Sequence, residues 1–134
     1  MSSQSINRGI LENAAICIGR LHNLFPVDMS RALEHFFVGW SAATSSHIRD
    51  MSEKEKTSLS ICDAVYRNPQ AVLPFFSSFC VLVYSWSPNI PTELNQRFSV
   101  ILHQFRGFSP DAWEPFKSRL DPSITHFFAQ QYNI

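Results

Sequence analysis

The stretch SEKEKTSLSICDAVYRNPQAVLPFFSSFCVLV, residues 52–83, decides the fold of this chain. It holds two segments in which apolar residues recur every three or four positions, which is the spacing of one face of an α-helix. The dipeptide Asn68-Pro69 separates them, and an Asn before a proline is typical of a residue that caps a helix N-terminus. The stretch therefore predicts two consecutive helices, each with one apolar face.

Similar signals continue along the chain in both directions. Ser52 and Glu55 have the spacing of a capping box, and Pro110 and Pro122 each follow a residue that can cap a helix. Pro26 is expected to end the helix before it. No segment alternates apolar and polar residues over the length of a strand. The sequence predicts an all-α chain with helices at residues 8–24, 29–46, 53–67, 70–86, 92–106, 110–119 and 122–131.

Apolar residues at equivalent helix positions repeat every forty residues. The repeated sets are Leu33/Leu73/Trp113, Phe36/Phe76/Phe116, Trp40/Cys80/Leu120, Leu21/Ile61/Ile101 and Phe25/Val65/Phe105. Two helices per roughly 40 residues is the period of HEAT and armadillo repeats. This register favours a HEAT-repeat superhelix, an α-solenoid of about three helix pairs, over an up-down helical bundle.

The repeat divides the chain into four parts. Residues 8–24 are expected to be the second helix of a truncated repeat, 29–67 and 70–106 to be complete repeats, and 110–134 to be terminal capping helices. A solenoid repeat cannot bury its apolar face alone, so we expect the chain to be a piece of a longer array. The uncovered face of the first helix, with Ile10 and Ile18, is then expected to cause self-association of the isolated segment.

Composition and motifs disfavour several classes of function. The chain has 11 Lys+Arg and 11 Asp+Glu, without the excess of basic residues that nucleic-acid binding needs, and no apolar run long enough for a membrane span. Its five His lack metal-ligand spacing, and neither GxSxG nor a Gly-rich phosphate loop is present. The sequence therefore predicts no enzyme, with no catalytic residue, cofactor or metal site. The three Cys are expected to be buried reduced thiols.

An ordered set of segments resembles the C-terminal HEAT repeats of the transportins, nuclear import receptors of the importin-β (karyopherin-β) family. The segments are LENAAICIGRL from Leu11, Ile48-Arg-Asp50, Ile61-Cys62, Asn68-Pro69, ILHQFRG from Ile101, Trp113 with Phe116, and Phe128-Ala129 with Tyr132. The chain also departs from the family. Pro74 and Pro115 interrupt segments that the family keeps helical, and each is expected to kink or delay its helix. Lys54 and Lys56 dilute an acidic turn that would attract basic cargo.

The resemblance implies a function in transport. It implies a receptor that shuttles between cytoplasm and nucleus and binds cargo proteins, through extended nuclear localisation signals, on its concave face. It also implies that Ran-GTP binds chiefly to an N-terminal half that this chain lacks, and that no membrane or direct nucleic-acid contact is involved. The alternative is a HEAT-repeat scaffold or adaptor protein with no transport role.

The candidate cargo-binding residues lie on the first predicted helix. Glu12, Asn13 and Ile16 are neighbours at helical spacing, and Ile16 is an apolar residue among polar ones, away from the face that carries Leu11 and Ile18. The resemblance places Ile16 in a pocket for the apolar part of a cargo signal. It implies that Ile16 contacts cargo Phe, Met or Pro, that Asn13 binds the peptide backbone, and that Glu12 meets a basic cargo residue.

Overall fold

The computed structural model describes residues 3–134, with side chains from residue 7 onward. The helices are α1 (Ser3–Leu24), α2 (Pro26–Arg31), α3 (Leu33–Ser46), α4 (Met51–Arg67), α5 (Phe76–Ser85), α6 (Thr92–Phe108), α7 (Pro110–Ser118) and α8 (Pro122–Tyr132). Two short 3-10 turns, Pro69–Ala71 and Leu73–Phe75, precede α5. Residues 3–134 contain no strand, so the all-α prediction is confirmed.

The helices stack in two layers. Helices α1, α4 and α6 lie side by side in one layer, and α3 and α5 lie side by side in the other. Short α2 lies against α1, α3 and α4, while α8 packs on α5 and α7 packs on α6. This stacking of successive helices into two parallel rows is HEAT-like, as the repeat period predicts.

The core lies between the two layers. Its largest fully buried side chains are aromatic or branched and come from both rows of helices: Phe37 and Trp40 of α3, Phe79 and Leu82 of α5, Ile61 and Val65 of α4, and Phe98 and Leu102 of α6. Within each helix these residues are three or four positions apart, so each helix contributes one apolar stripe to the shared interior. Burial of these stripes is the main favourable term that holds the layers together.

Two of the predicted helices are divided in the structure. The prediction of one helix over residues 29–46 is wrong, because α2 already begins at Pro26 and the chain turns at Ala32 before α3. Pro26 therefore has two roles: α1 ends before it, and it is the first residue of α2. The prediction of one helix over 70–86 is also wrong. Pro74 confines the chain before Phe76 to 3-10 turns, which is the delay expected of that proline.

Helix α4 is capped by a residue other than the one predicted. The carboxylate of Asp50 accepts a hydrogen bond from the backbone N–H of Glu53 at 3.1 Å, and Ser52 lies inside the helix. The predicted capping box of Ser52 and Glu55 is therefore wrong by two residues. Asp50 adds a negative charge at the helix N-terminus, which also favours it as the cap. Asp121 caps α8 in the same way, through the backbone N–H of Ser123 at 2.8 Å.

The forty-residue register identifies core residues in the middle of the chain but fails at α1. Ile61, Val65, Phe76, Cys80, Ile101 and Phe105 are all buried, as the register predicts. By contrast, Leu21 and Phe25 of α1 are 40% and 55% exposed, and Leu73 is 42% exposed in its 3-10 turn. Leu21 and Phe25 lie on the face of α1 that points away from the rest of the stack. The buried face of α1 consists instead of Ala15, Gly19 and His22.

Phe76 is the aromatic residue whose loss should most disturb this stack. Its ring lies 3.7 Å from that of Phe105, measured between centroids, and 5.6 Å from that of Phe116, so it joins α5 to both α6 and α7. We expect Phe76→Ala to lower the free energy of unfolding by about 3–5 kcal/mol, because it leaves a cavity among rings that cannot close it. Urea unfolding followed by circular dichroism measures the change.

The matched control is Phe75→Ala. Phe75 is the neighbouring residue, but 38% of it is exposed, so its removal should cost about 1–2 kcal/mol, clearly less than the loss at the buried Phe76. Equal losses for the two variants would contradict the packing described for α5.

Candidate functional site

The outer surface of the layer formed by α1, α4 and α6 carries a continuous furrow. Between α1 and α4 it is a narrow cleft of about 60 Å³, lined by Ile16, Gly19, Arg20, Asn23, Glu53, Lys56, Thr57 and Ser60. The helices approach closely here, since a methyl group at Gly19 would already touch Thr57. A wider section of about 320 Å³ follows and shares Asn23, Lys56 and Ser60 with the cleft.

The furrow continues between α4 and α6. This section has a volume of about 360 Å³, the largest of the three. It is lined by Cys62, Tyr66, Glu93, Gln96, Arg97, Val100 and Ile101. Glu93 and Arg97 also border the middle section, so the three sections join. This end of the furrow is not predicted from the sequence. The exposed apolar positions of Tyr66 and Val100 were the available signal, because they lie outside the core stripe of their helices.

The three predicted contact residues lie together on α1, but in different environments. Ile16 is half-buried at the α1–α4 cleft and packs against the core, so its predicted position away from the core is wrong. Asn13 is exposed one helical turn before it. Glu12 is half-buried, and its Oε2 accepts hydrogen bonds from the backbone N–H and the Nε of Arg49 at 3.2 and 3.0 Å. A basic ligand group would have to compete with Arg49 for Glu12.

Polar bonds link α1 to α4 along the cleft. Arg20 donates to Glu53 at 3.1 Å, and the hydroxyl of Ser60 donates to the side-chain oxygen of Asn23 at 2.9 Å. The side chain of Arg20 is 70% exposed, so this ion pair contributes at most about 1 kcal/mol to stability. Polar groups held this weakly can exchange their partners for those of a bound peptide.

The two lysines of the first turns of α4 have different roles. Lys56 is exposed and borders the furrow, which Glu53 also lines. Lys54 is buried, and its ammonium donates to the carbonyl of Ser85 at 3.3 Å and lies 4.8 Å from the centre of the Trp86 ring. Burial lowers the pKa of Lys54. Lys54 stabilises the C-terminus of α5, so its predicted effect on a surface charge is wrong.

A partly buried hydrogen-bonded pair lies at the wall of the furrow, which Asp63 helps to line. The Nε2 of His22, which is 1% exposed, lies 2.7 Å from the Oδ2 of Asp63, and this oxygen also accepts a hydrogen bond from the Nε of Arg67 at 2.8 Å. Burial acts to raise the pKa of Asp63, but the bonds to His22 and Arg67 outweigh it and hold the pKa below its usual range. This pair is not predicted from the sequence, although His22 follows Ala15 by two helical turns on the same face.

The three cysteines differ in their burial. Cys62 and Cys80 are buried, and burial raises the pKa of both thiols. Cys17 is exposed on α1, so the expectation that all three are buried is wrong for this residue. Among the residues that the structure describes, no group of His, Cys, Asp and Glu is arranged to hold a metal ion. In the same part of the chain, no helix combines the length and apolar character needed to cross a membrane.

Proteins similar to this chain in sequence are transportins and an importin subunit. No protein-family model matches the chain. Transportin-1 of Homo sapiens is 32% identical over 126 residues, which are 93% of this chain, and Transportin of Dictyostelium discoideum is 25% identical over 130 residues, or 97% of it. Importin subunit beta-2 of Schizosaccharomyces pombe is 33% identical over 105 residues, or 76% of the chain. The chain is a transportin-like member of the karyopherin-β family.

The transportin-like chain matches only part of each relative. It spans 14% of the length of the two transportins and 11% of the length of importin subunit beta-2. The matched part includes α1 and α4, whose layer carries the furrow and the three candidate residues. Similarity over nearly the whole transportin-like chain agrees with its HEAT-like stack of helices.

The His22–Asp63 pair of this transportin-like chain should make its stability depend on pH. Asp63 has a lowered pKa in the fold, so its ionised form stabilises the fold above about pH 4, and this contribution is lost as the pH falls through the lowered pKa. The Asp63 side chain is 36% exposed, which limits the effect. Asp63→Asn should lower the free energy of unfolding by about 1 kcal/mol at pH 7 and by much less at pH 3.

Urea titrations at the two pH values measure this difference. The control is Glu93→Gln, which removes an exposed carboxylate whose bond to Arg97 within α6 should contribute less than about 0.5 kcal/mol at either pH. A loss for Asp63→Asn that is the same at both pH values would contradict the role assigned to its charge.

Proposed function

We propose that this chain is the C-terminal part of a transportin-like nuclear import receptor and binds nuclear localisation signals of cargo proteins along the furrow. The similarity to Transportin-1 supports the class of function, and the furrow across α1, α4 and α6 supports the mode of binding. In this proposal residues 29–67 and 70–106 are complete HEAT repeats, residues 8–24 are the second helix of a preceding repeat, and 110–134 form the cap.

The main support for the proposal is that the furrow runs across three neighbouring helices. An extended peptide needs a long, shallow surface with hydrogen-bonding groups for its backbone and occasional apolar sites for its side chains. The furrow offers amide groups at Asn23 and Gln96, and apolar sites at Ile16 and Val100. Its charged residues are of both signs, so affinity would come from several weak contacts rather than from net charge.

Each candidate residue has a role that its environment permits. The half-buried Ile16 offers an apolar surface to a cargo Phe, Met or Pro, at little conformational cost because its packing already restricts its rotamers. The exposed Asn13 can hydrogen-bond the peptide backbone. Glu12 meets a basic cargo residue by exchange with Arg49, whose side chain is 65% exposed and free to turn into solvent.

The proposal also specifies partners outside this segment. Ran-GTP would bind an N-terminal part of the receptor, so this chain should not bind Ran-GTP by itself. The receptor would move between cytoplasm and nucleus and use no cofactor. A HEAT-repeat scaffold or adaptor without a transport role is the alternative, and it would not need a furrow that distinguishes signal peptides from other extended peptides.

The test is an NMR titration of the 134-residue chain with an extended signal peptide that carries an apolar segment followed by basic residues. We expect saturable shifts of furrow amides with a Kd in the high micromolar range, because this chain would supply only part of the whole site. Ile16→Asp should weaken binding by about 1–3 kcal/mol, so that the shifts no longer saturate.

Val38→Asp is the matched control, since it places the same charge on α3 at a position that is 43% exposed outside the furrow. It should leave peptide binding unchanged, and thermal melts of both variants separate lost binding from lost folding. Equal peptide affinity for wild type and a folded Ile16→Asp variant would remove Ile16 from the site. Equal binding of a scrambled peptide would favour the scaffold, and binding of Ran-GTP would refute the assignment of its site to another segment.

A further inference from the structure

The section of the furrow between α4 and α6 has an apolar floor and apolar sides. Cys62 and Ile101 are 1% and 2% exposed and form the floor, whereas Tyr66 and Val100 are 63% and 52% exposed and form the sides. A side chain that enters this section would cover apolar surface of Tyr66 and Val100 that now lies in water, which is favourable. This end of the furrow is therefore an apolar binding site.

The size and the rim of this section favour an aromatic side chain. Its volume of about 360 Å³ is much larger than the 60 Å³ of the cleft beside Ile16, so it accepts a bulkier group. The exposed ring of Tyr66 offers a partner for a second ring. The guanidinium of Arg97, whose side chain is 47% exposed, can lie over the face of such a ring while its bond to Glu93 remains on the rim.

The middle section of the furrow separates this site from Ile16 by polar groups. Its lining consists of Asn23, Lys56, Leu59, Ser60, Asp63, Glu93 and Arg97. An apolar side chain placed here would take charged groups of both signs out of water without a partner for them, which is unfavourable. The furrow therefore accepts apolar side chains at its two ends and polar ones between them.

Helix geometry gives the distance between the two apolar sites. Helix α4 lies between α1 and α6, so two interaxial distances of about 8–10 Å separate Ile16 from Val100 across the layer. Along α4 the furrow advances from Thr57, beside the cleft, to Cys62 and Tyr66, which adds on the order of 10 Å at a rise of about 1.5 Å per residue. The sites are then about 20 Å apart, which an extended chain spans in about six residues.

We propose that the furrow binds one extended peptide through two apolar side chains about six residues apart, the first at Ile16 and the second, an aromatic one, between Tyr66 and Val100. This inference rests on the proposed function, since it specifies the signal that the furrow binds. One peptide occupies both sites, because neighbouring sections share lining residues and form a continuous path.

Synthetic peptides of different spacing test the proposal on the 134-residue chain. Each peptide carries one Met and one Phe, with Gly and Ser at the other positions, and an NMR titration measures its Kd. With Met and Phe six positions apart, the Kd should be about tenfold lower than for the same peptide with Ser in place of Phe. A spacing of three positions covers only about 10 Å, so its Kd should equal that of the peptide without Phe.

A pair of matched valine variants locates the second site. Val100→Asp should abolish the tenfold gain from Phe and leave the Kd of the peptide without Phe unchanged, because Ile16 is at the other end of the furrow. The control is Val81→Asp, which places the same charge on α5, in the other layer, at a position that is 46% exposed against 52% for Val100. It should leave both Kd values unchanged, and thermal melts show whether each variant is folded.

The aromatic preference has a test of its own. Leu in place of the peptide's Phe should retain only about a third of the tenfold gain, because it cannot make the ring contacts with Tyr66 and Arg97. Equal gains for Leu and Phe would overturn the assignment of an aromatic side chain to this site.

Other results would overturn the two-site arrangement and distinguish it from the proposed function. If the peptide with Met alone binds at Ile16 and Phe adds nothing at any spacing, the second site is excluded and the proposed function stands. Equal gains from Phe at three and six positions would exclude the spacing, and a gain that persists in Val100→Asp would place the second contact elsewhere. If neither these peptides nor the signal peptide binds, both proposals fail.

Discussion

The position of Trp40 determines how the first helix joins the rest of the stack. This indole is almost fully buried, and its Nε1 donates a hydrogen bond at 3.1 Å to the backbone carbonyl of Ala15 in α1. A buried indole N–H without a partner would cost about 1–3 kcal/mol, so this bond fixes both the depth and the rotation of α1 on α3. The ring of Trp40 also lies 6.1 Å from that of His22, which is bonded to Asp63 of α4. One side chain thus holds together helices of both layers.

This arrangement explains why α1 has so little apolar surface in the core. The residues that face Trp40 and α4 are Ala15, Gly19 and His22, which are small or polar, and they permit a close approach of the helices. Polar pairs such as His22–Asp63 and Arg20–Glu53 also join α1 to α4. A helix attached in this way leaves polar groups and one apolar residue, Ile16, along its edge. The furrow begins at that edge.

Sequence alone determined the helical content, most helix boundaries and the two-layer repeat. Helix ends depend on local features such as Pro110, Pro122 and the apolar period, which act within one or two turns of the chain. The same local reasoning located the buried faces of α4 and α6, because each of these helices has a single apolar stripe to bury. It also placed Glu12, Asn13 and Ile16 on one helix, where their spacing makes them neighbours.

Only the tertiary structure decided which face of α1 is buried, and with it the character of the candidate site. The apolar pattern of α1 is strongest at Leu21 and Phe25, yet these residues are exposed, since Trp40 binds the Ala15 side of the helix. Glu12 is bonded to Arg49, which is far from it in sequence. Lys54 is buried against Trp86, which follows a helix of the other layer. A helix pattern specifies an apolar face, but the element that packs against it determines whether that face becomes core, binding site or open surface.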